Sequence, residues 1–325
     1  MKDKIINLLK KDSDKFVSGE EISKSLGVTR AAVWKHINGL KKSGYNIESV
    51  SKKGYRLMLC PDILTYEELK GRLNTEFIGR SIIHFDELDS TNSYAKKAAD
   101  TLEGEGQVVI AEKQFGGRGR MGRQWISQNN NGIWMSIILR PKISIYEVSK
   151  ITQVAAAAVN SAFADLGIET EIKWPNDLMI NDKKICGILT EMNSEINKIN
   201  HVVVGIGINV NNGDEDFPDE LKNTATSVKI ETLRQLKRSE LTAEILNNFE
   251  KLYIKLNNND FSDTLDILRR NSYVIGKDIS LIKNQEVINA RAIDINNNGE
   301  LTVRYENGET DNIISGEISV RIKKN

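Results

Sequence analysis

"EKQFGGRGRMGRQW", residues 112–125, places four glycines and three arginines in one short run. Such a run belongs to a flexible linker, a nucleic-acid tail, or a loop that closes over an anion. Its surroundings decide among these. The apolar stretch "QVVIAE" (107–112) leads into it and "GIWMSIILRP" (132–141) leaves it, so it is a loop between two strands of a folded unit. Glycine removes the side-chain barrier to unusual dihedrals and lets backbone N–H groups approach a phosphate. Arg118, Arg120 and Arg123 supply fixed positive charge for carboxylate and phosphate oxygens. The spacing fits neither the lysine-serine ending of a Walker loop nor a G-x-G-x-x-G turn opening a helix.

Working outward, the chain alternates strands and helices from about residue 80. "SIIHFDELDSTNSYAKKAAD" (81–100) reads as a strand, a polar turn and a helix capped by Ser90 or Thr91. Gln114 stands at the mouth of the glycine-arginine loop. Residues 143–167 form an alanine-rich buried helix ending at Gly167. "IETEIKWPNDLMINDKKICGILTEM" (168–192) gives a strand through Ile172 and Trp174, then a hairpin turning at Asn181 and Asp182, with Lys184 opening the returning strand. "HVVVGIGINVNN" (201–212) is an apolar strand whose Gly205 and Gly207 mark a close approach, and Asn209 ends it. Residues 232–270 are helical by their Leu and Ile periodicity. From 272 onward, short alternating strands separated by Asn-Gly and Gly turns predict a small barrel.

At the other end, Ile5, Ile6, Leu8 and Leu9 stripe a helix over 2–11. Ser18 caps a second helix that Gly27 stops, and Thr29 caps a third with Val33, Ile37 and Leu40 on one face. Arg30, Lys35, His36 and Lys41 lie on the opposite face, which makes the pair a helix-turn-helix. "YNIESVSKKGYRLM" (45–58) adds a hairpin of the wing type. Lys52 and Lys53 reach phosphates here, and Arg30, Ala31, Trp34 or Lys35 reach bases; Trp34 is alternatively a core residue. Pro61 marks a boundary, giving domains 1–62, 63–271 and 272–325.

Composition agrees with this partition. The 325 residues are enough for two or three domains, and the net charge is zero from 45 basic and 45 acidic side chains. The first 60 residues hold 13 Lys/Arg against 6 Asp/Glu, leaving 32 against 39 in the remainder. A basic small module beside an acidic larger one points to nucleic-acid contact at the N-terminus. With neither a secretory pattern at the start nor a long apolar run, the expectation is a cytoplasmic protein with no membrane partner. Cys60 and Cys186 then read as reduced thiols, and three scattered histidines offer no metal-ligand spacing.

Taken in order, "DSTN", "EKQFGGRGRMGRQW", "KWPNDLMINDKKICGILTE" and "VGIGINV" behind a helix-turn-helix resemble the bifunctional biotin protein ligases that also repress biotin genes. The resemblance implies an α+β chain: a winged helix-turn-helix, a mixed-sheet ligase domain like the class II synthetases, and a C-terminal SH3-like barrel. It implies ATP and biotin as substrates, Mg²⁺ with the ATP, a biotin carboxyl carrier protein of acetyl-CoA carboxylase or a related carboxylase as acceptor, operator DNA, and a homodimer. By the same resemblance Ser90, Thr91, Asn92 and Gln114 hold the ureido ring. Arg118, Gly119, Arg120 and Lys184 surround the carboxylate and the adenylate link, with Lys184, Arg120 and Arg118 catalytic. Gly117, Arg123, Trp125, Asn176 and Asn209 serve the nucleotide, Trp125 covering the adenine once the loop closes, and Asp177 contacts the metal. Thr29, Arg30, Ala31, Trp34, Lys35, Lys52 and Lys53 form the DNA face. Met121 departs from the pattern, standing where the family commonly has a basic residue. Two other readings explain parts of the sequence: a transcription factor that senses a small acid without turning it over, and a lipoate-type acyl ligase.

Overall fold

The computed structural model describes the chain apart from residues 12–14, 43, 60, 102, 197, 284–285, 315–316 and 321–325. Cys60 and the end of the last expected strand lie outside the described residues. The chain divides into two compact units, Met1–Ile63 and Leu64–Asn325.

The first unit begins with α1 (Lys2–Lys11), α2 (Gly19–Leu26) and α3 (Arg30–Lys42). Ser18 accepts a hydrogen bond from the Glu21 N–H at 3.0 Å, and Gly27 closes the helix in the left-handed conformation. The Thr29 hydroxyl accepts from the Ala32 N–H at 3.2 Å, so the second turn is capped as well. Ile5, Ile6, Leu9, Ile22, Val33, Ile37 and Leu40 make one buried cluster. Strands β1 (Asn46–Val50) and β2 (Gly54–Leu59) pair antiparallel across a turn in which Lys52 has φ 67°. Here Gly54 is obligatory: at φ +114°, an added Cβ would stand 2.2 Å from the Val17 carbonyl. The next residue exchanges two 2.9 Å backbone bonds with Val17, which ties the hairpin to the helices.

The second unit is built on a seven-stranded sheet. Its strands are β3 (Ile82–Leu88), β4 (Val108–Gln114), β5 (Ile133–Leu139), β6 (Glu171–Lys173), β7 (Asp177–Ile180), β8 (Lys183–Glu195) and β9 (Lys198–Ile208), in the order β3-β4-β5-β9-β8-β7-β6. Only the β3/β4 pair is parallel, so the sheet is mixed. A single turn, α4 (Tyr66–Leu69), precedes it, and α5 (Thr91–Ala99) and α6 (Val148–Asp165) are inserted between strands. The expected helical stretch 232–270 is interrupted: α7 (Val228–Thr232), α8 (Arg238–Asn257) and α9 (Ser262–Arg270) are separate, with Asn259 at φ 60° between the last two.

The sheet's two faces are covered unequally. On β9, Val202, Val204, Ile206 and Ile208 face the large core shared with α6 and α8. Val203 on the other face joins Val109, Ile138 and the alanines of α5. Gly205 and Gly207 continue that second face, Gly205 against Asn92 in the first turn of α5 and Gly207 against Trp125, and register places Ser136 opposite Gly205 and Trp134 opposite Gly207. Because the two glycines add no side chains of their own, other segments approach the sheet closely here, at the floor of a cavity.

The C-terminal segment forms β10 (Asp278–Lys283), β11 (Glu286–Ile295), β12 (Leu301–Tyr305), β13 (Thr310–Ile313) and β14 (Glu317–Val320). They make an antiparallel sheet ordered β13-β12-β11-β10-β14. Ile279, Leu281, Ala292, Leu301 and Val303 merge with the main core.

Candidate active site

A cavity of about 820 Å³ lies over the bare face of the sheet, and it gathers side chains from segments far apart in sequence. Ser90, Thr91, Asn92, Gln114, Arg118, Gly119, Arg120, Arg123, Trp125, Asn176, Asp177, Lys184 and Asn209 all line it.

One end is a closed network of hydroxyls and amides. Ser90, not Thr91, caps α5, its Oγ accepting from the Ser93 N–H. That frees Thr91 to face inward, where its N–H and Oγ1–H both donate to Gln114 Oε1, at 2.8 and 3.1 Å. The Gln114 amide donates to Ser127 Oγ at 3.1 Å. Ser136 Oγ lies 2.8 Å from Thr91 Oγ1 and 2.6 Å from Asn92 Oδ1. Asn92 Nδ2 in turn donates to Glu191 at 2.9 Å, and Lys96 closes on the same carboxylate at 2.5 Å. Burial raises the Glu191 carboxyl, but the Lys96 and Asn92 hydrogen bonds outweigh it and hold the group below its ordinary value. Every member is oriented by the next, so Ser90, Thr91, Asn92 and Gln114 line the cavity in positions fixed by their own bonds.

Ser127, Ser136 and Glu191 are absent from the sequence-based site. Ser136 left a signal, being the one polar residue in the fully buried strand "IWMSIIL". Glu191 left none, because a glutamate on an alternating strand looks like any solvated residue.

Over this network the glycine-arginine run is a small hairpin. Arg118 bridges Gln124, the Gly119 N–H donates to the Arg123 carbonyl at 2.7 Å, and Trp125 N–H donates to Gly117 O at 2.9 Å. Within the loop these glycines also meet packing demands that the sequence does not show. Gly119 spends its N–H inside the loop, and Gly116 and Gly117 are small because neighbours are close. An added Cβ would meet Asp89 Oδ1 at 2.0 Å from Gly116 and Trp125 O at 2.3 Å from Gly117. Met121 occupies the tip with φ 55°, is 77% exposed, and stands at the rim of the cavity.

The charged end is set by two pairs. Arg120 Nη1 donates to Asn176 Oδ1 at 2.7 Å, and Lys184 Nζ lies 2.7 Å from Asp177 Oδ1. Asn176 Nδ2 also donates to Asp177 Oδ1, at 2.9 Å, so the two cations converge through adjacent residues of the 173–177 segment. Trp125 sits on the floor and not at the loop tip. Its ring faces Gly187 and Gly207, packs edge-on against Trp134 at 6.3 Å, and lies under Lys184 Nζ at 5.4 Å. Asn209 donates its amide to the Thr226 carbonyl at 3.0 Å, anchoring the wall that follows. Among the described residues no group of three His, Cys, Asp or Glu side chains could hold a metal ion. Asp177 alone is one carboxylate beside a cation, a donor set that fits a Mg²⁺ carried mainly by nucleotide phosphates and not a resident metal.

Two residues behind Gln114, Glu112 is a buried hub. It accepts from the Leu64 N–H at 2.9 Å, contacts His84 Nε2 at 2.9 Å, and pairs with Arg238 Nη1 at 2.9 Å. Burial raises its carboxyl, yet His84, Arg238 and Leu64 together bring it below the ordinary carboxylate value of 4.5. The folded form thus binds its proton less readily than the unfolded chain. Its contribution is complete above the unfolded pKa and is lost as pH falls through the folded one. Urea unfolding of Glu112→Gln is expected to show a native state weaker by about 3 kcal/mol at neutral pH, because Arg238 loses its counter-charge. The variant's stability should also fall less steeply than wild type as pH drops below the ordinary carboxylate value of 4.5.

In the first unit, Thr29, Arg30, Ala31, Trp34, Lys35, Lys52 and Lys53 are all exposed. Trp34, 61% exposed, is therefore not a core residue. Cys186, in contrast, is fully buried, and burial pushes its thiol up, out of the range of a reactive thiolate.

A helix-turn-helix unit and a mixed-sheet unit with an arginine-bearing loop beside a polar cavity define the class. Residues 85–209 match the biotin/lipoate A/B protein ligase family, residues 2–56 an HTH domain, and residues 274–321 the biotin protein ligase C-terminal domain. The chain is 41% identical over 305 residues to the bifunctional ligase/repressor BirA of Bacillus spizizenii, covering 94% of each protein. It is 46% identical over 250 residues to that of Bacillus subtilis, covering 77% of each. The chain belongs to this bifunctional ligase/repressor family. Among solved structures, the biotin protein ligase from Aquifex aeolicus in complex with biotin and ATP superposes with a TM-score of 0.65 at 27% identity, covering 74% of this chain and 99% of that one. No helix among the described residues is long and apolar enough to cross a membrane.

Proposed function

We propose that this chain joins biotin to ATP, releasing pyrophosphate, and passes the biotinyl group from the adenylate to a lysine of a biotin carboxyl carrier domain. In the first step a biotin carboxylate oxygen bonds to the α-phosphorus as the bond to the β-phosphate oxygen breaks. In the second the lysine amine attacks the biotinyl carbonyl, loses a proton, and AMP leaves. Two anions have to meet, and fixed positive charge where charge develops is the strongest tool for that. The observation that carries the reading is the convergence of Arg120 and Lys184 on Asn176 and Asp177 beside a buried hydroxyl-amide network in the same cavity.

In this reading Ser90, Thr91, Asn92 and Gln114 bind the ureido ring, and Arg118, Gly119, Arg120 and Lys184 grip the carboxylate and the transferring phosphoryl group. Gly117, Arg123, Trp125, Asn176 and Asn209 serve the nucleotide. Mg²⁺ bound to ATP, touching Asp177, would neutralise phosphate charge. The loop excludes water that would hydrolyse the mixed anhydride. Residues 1–62 bind operator DNA, residues 63–271 are the catalytic domain, and residues 272–325 are a small SH3-like domain closing the chain. The working form is a cytoplasmic homodimer whose DNA affinity rises when the adenylate is held.

Incubation with biotin, labelled ATP and a carrier domain tests the enzyme: biotin-dependent adenylate and labelled carrier are expected, and their absence sinks the reading. Replacing biotin by lipoate in the same assay should give no product. For the repressor, gel retardation with the upstream region of the protein's own gene should strengthen with biotin and ATP. The Lys52→Ala/Lys53→Ala variant should weaken all sequences alike and lower the salt slope of binding by about 2. A slope unchanged from wild type would remove the wing from the interface.

A further inference from the structure

The turn joining β11 to β12 carries a feature that the ligase chemistry above leaves unused. Asn297 and Asn298 are exposed, but Gly299 between them and β12 is buried. The turn is built by Asn296, whose Oδ1 accepts from the N–H groups of Asn298 and Glu300 at 2.9 and 3.1 Å. Gly299 takes φ +81°, and an added Cβ would stand 2.3 Å from Gln153 Oε1. Its carbonyl accepts two side-chain donors, Trp174 Nε1 at 3.0 Å and Gln153 Nε2 at 2.6 Å. Both donors are almost wholly buried, at 2% and 1% exposure.

Trp174 directly precedes the segment in which Asn176 accepts from Arg120 and Asp177 pairs with Lys184. On one side of it, β6 pairs Lys173 with Asp177. A buried indole locked by its N–H, and flanked by a hydrogen-bonded pair, leaves the three residues between little freedom.

We propose that Trp174 and Gln153 are positioning residues of the ligase. Through the Gly299 carbonyl, the C-terminal sheet sets where Asn176 and Asp177 stand, and so where Arg120 and Lys184 point. This rests on the reading of Arg120 and Lys184 given under Proposed function. The polar network around Thr91 and Gln114 makes none of these bonds, so the effect falls on the nucleotide end of the cavity and spares the other.

Trp174→Phe keeps the apolar ring and removes only the donor; Gly299→Ala forces the carbonyl away; the pair tests their dependence. In the full-length protein, pyrophosphate release with ATP or biotin varied should show kcat/KM for ATP lower by about ten- to a hundredfold. Biotin binding measured by calorimetry without ATP should stay within roughly twofold, and the double variant should be no worse than the poorer single one. Gln153→Met, which retains volume and loses the donor, provides the same readout if the glycine change prevents folding. A lowered Tm with wild-type kinetics would overturn the proposal, as would biotin binding without ATP weakened as much as kcat/KM for ATP, or additive effects in the pair. Failure of the wild-type protein to release pyrophosphate would instead strike the ligase reading itself.

Discussion

Lys184→Met should lower the rate of biotin-dependent pyrophosphate release by roughly 10²- to 10³-fold while leaving biotin affinity within a few-fold. The expectation follows from where the ammonium stands. It lies 2.7 Å from Asp177 and above the Trp125 ring, at the charged end of the cavity and away from the hydroxyl-amide network. A group that meets charge developing at phosphorus contributes to the transition state and little to the ground state, so its loss appears in kcat. Methionine retains most of the stem that packs on the indole, which separates the effect of charge from that of packing. Lys184→Arg should recover only part of the rate, because a planar fork does not reproduce a point charge held by one carboxylate oxygen. Equal losses in biotin binding and turnover would reduce Lys184 to a binding group.

The second large effect is expected at a residue with no side chain. An added Cβ at Gly205 would stand 2.1 Å from Asn92 Oδ1, the atom that accepts from Ser136 at 2.6 Å. Gly205→Ala should push Asn92 off both Ser136 and Glu191, leaving buried polar atoms without their bonds at a cost of about 1–3 kcal/mol each. Calorimetry should then show biotin binding weakened by roughly ten- to several hundredfold. Gly207→Ala, two residues on, meets a different neighbour: its Cβ would come within 2.7 Å of the Trp125 ring. That variant should raise KM for ATP and spare biotin binding. The two substitutions are chemically identical on one strand, so a shared phenotype would mean that both act only through stability.

Much of this molecule was legible before any coordinates. The helix-turn-helix depends on caps, a left-handed glycine and an apolar spacing, all settled within a few residues, and Ser18, Gly27 and Thr29 do what their types dictate. The hairpin turning at Asn181 and Asp182 was equally local, since both residues adopt the positive φ they tolerate best. Local reasoning reaches less far where one residue type serves two ends. Glycines 116, 117 and 119 read as a loop that approaches phosphate, and the close neighbours Asp89, Trp125 and Arg123 that also require small residues there are not inferable from the run itself. The sequence leaves Trp34 open because one helix alone does not say which of its faces is covered.

By itself, then, the sequence determined most of the elements and their order, though not the breaks within 232–270, together with the positive loop between two strands and the resemblance that named candidate residues. Only the tertiary structure decided that Ser127, Ser136 and Glu191 complete the polar network, that Trp125 is floor, and that Gly299 reaches Trp174 across 125 positions of chain. The physical reason is range. Caps and turns are satisfied by neighbours a few residues away, whereas a buried polar atom must find its partner wherever packing brings one. Which partner that is depends on how the sheet, its helices and the C-terminal strands close on one another.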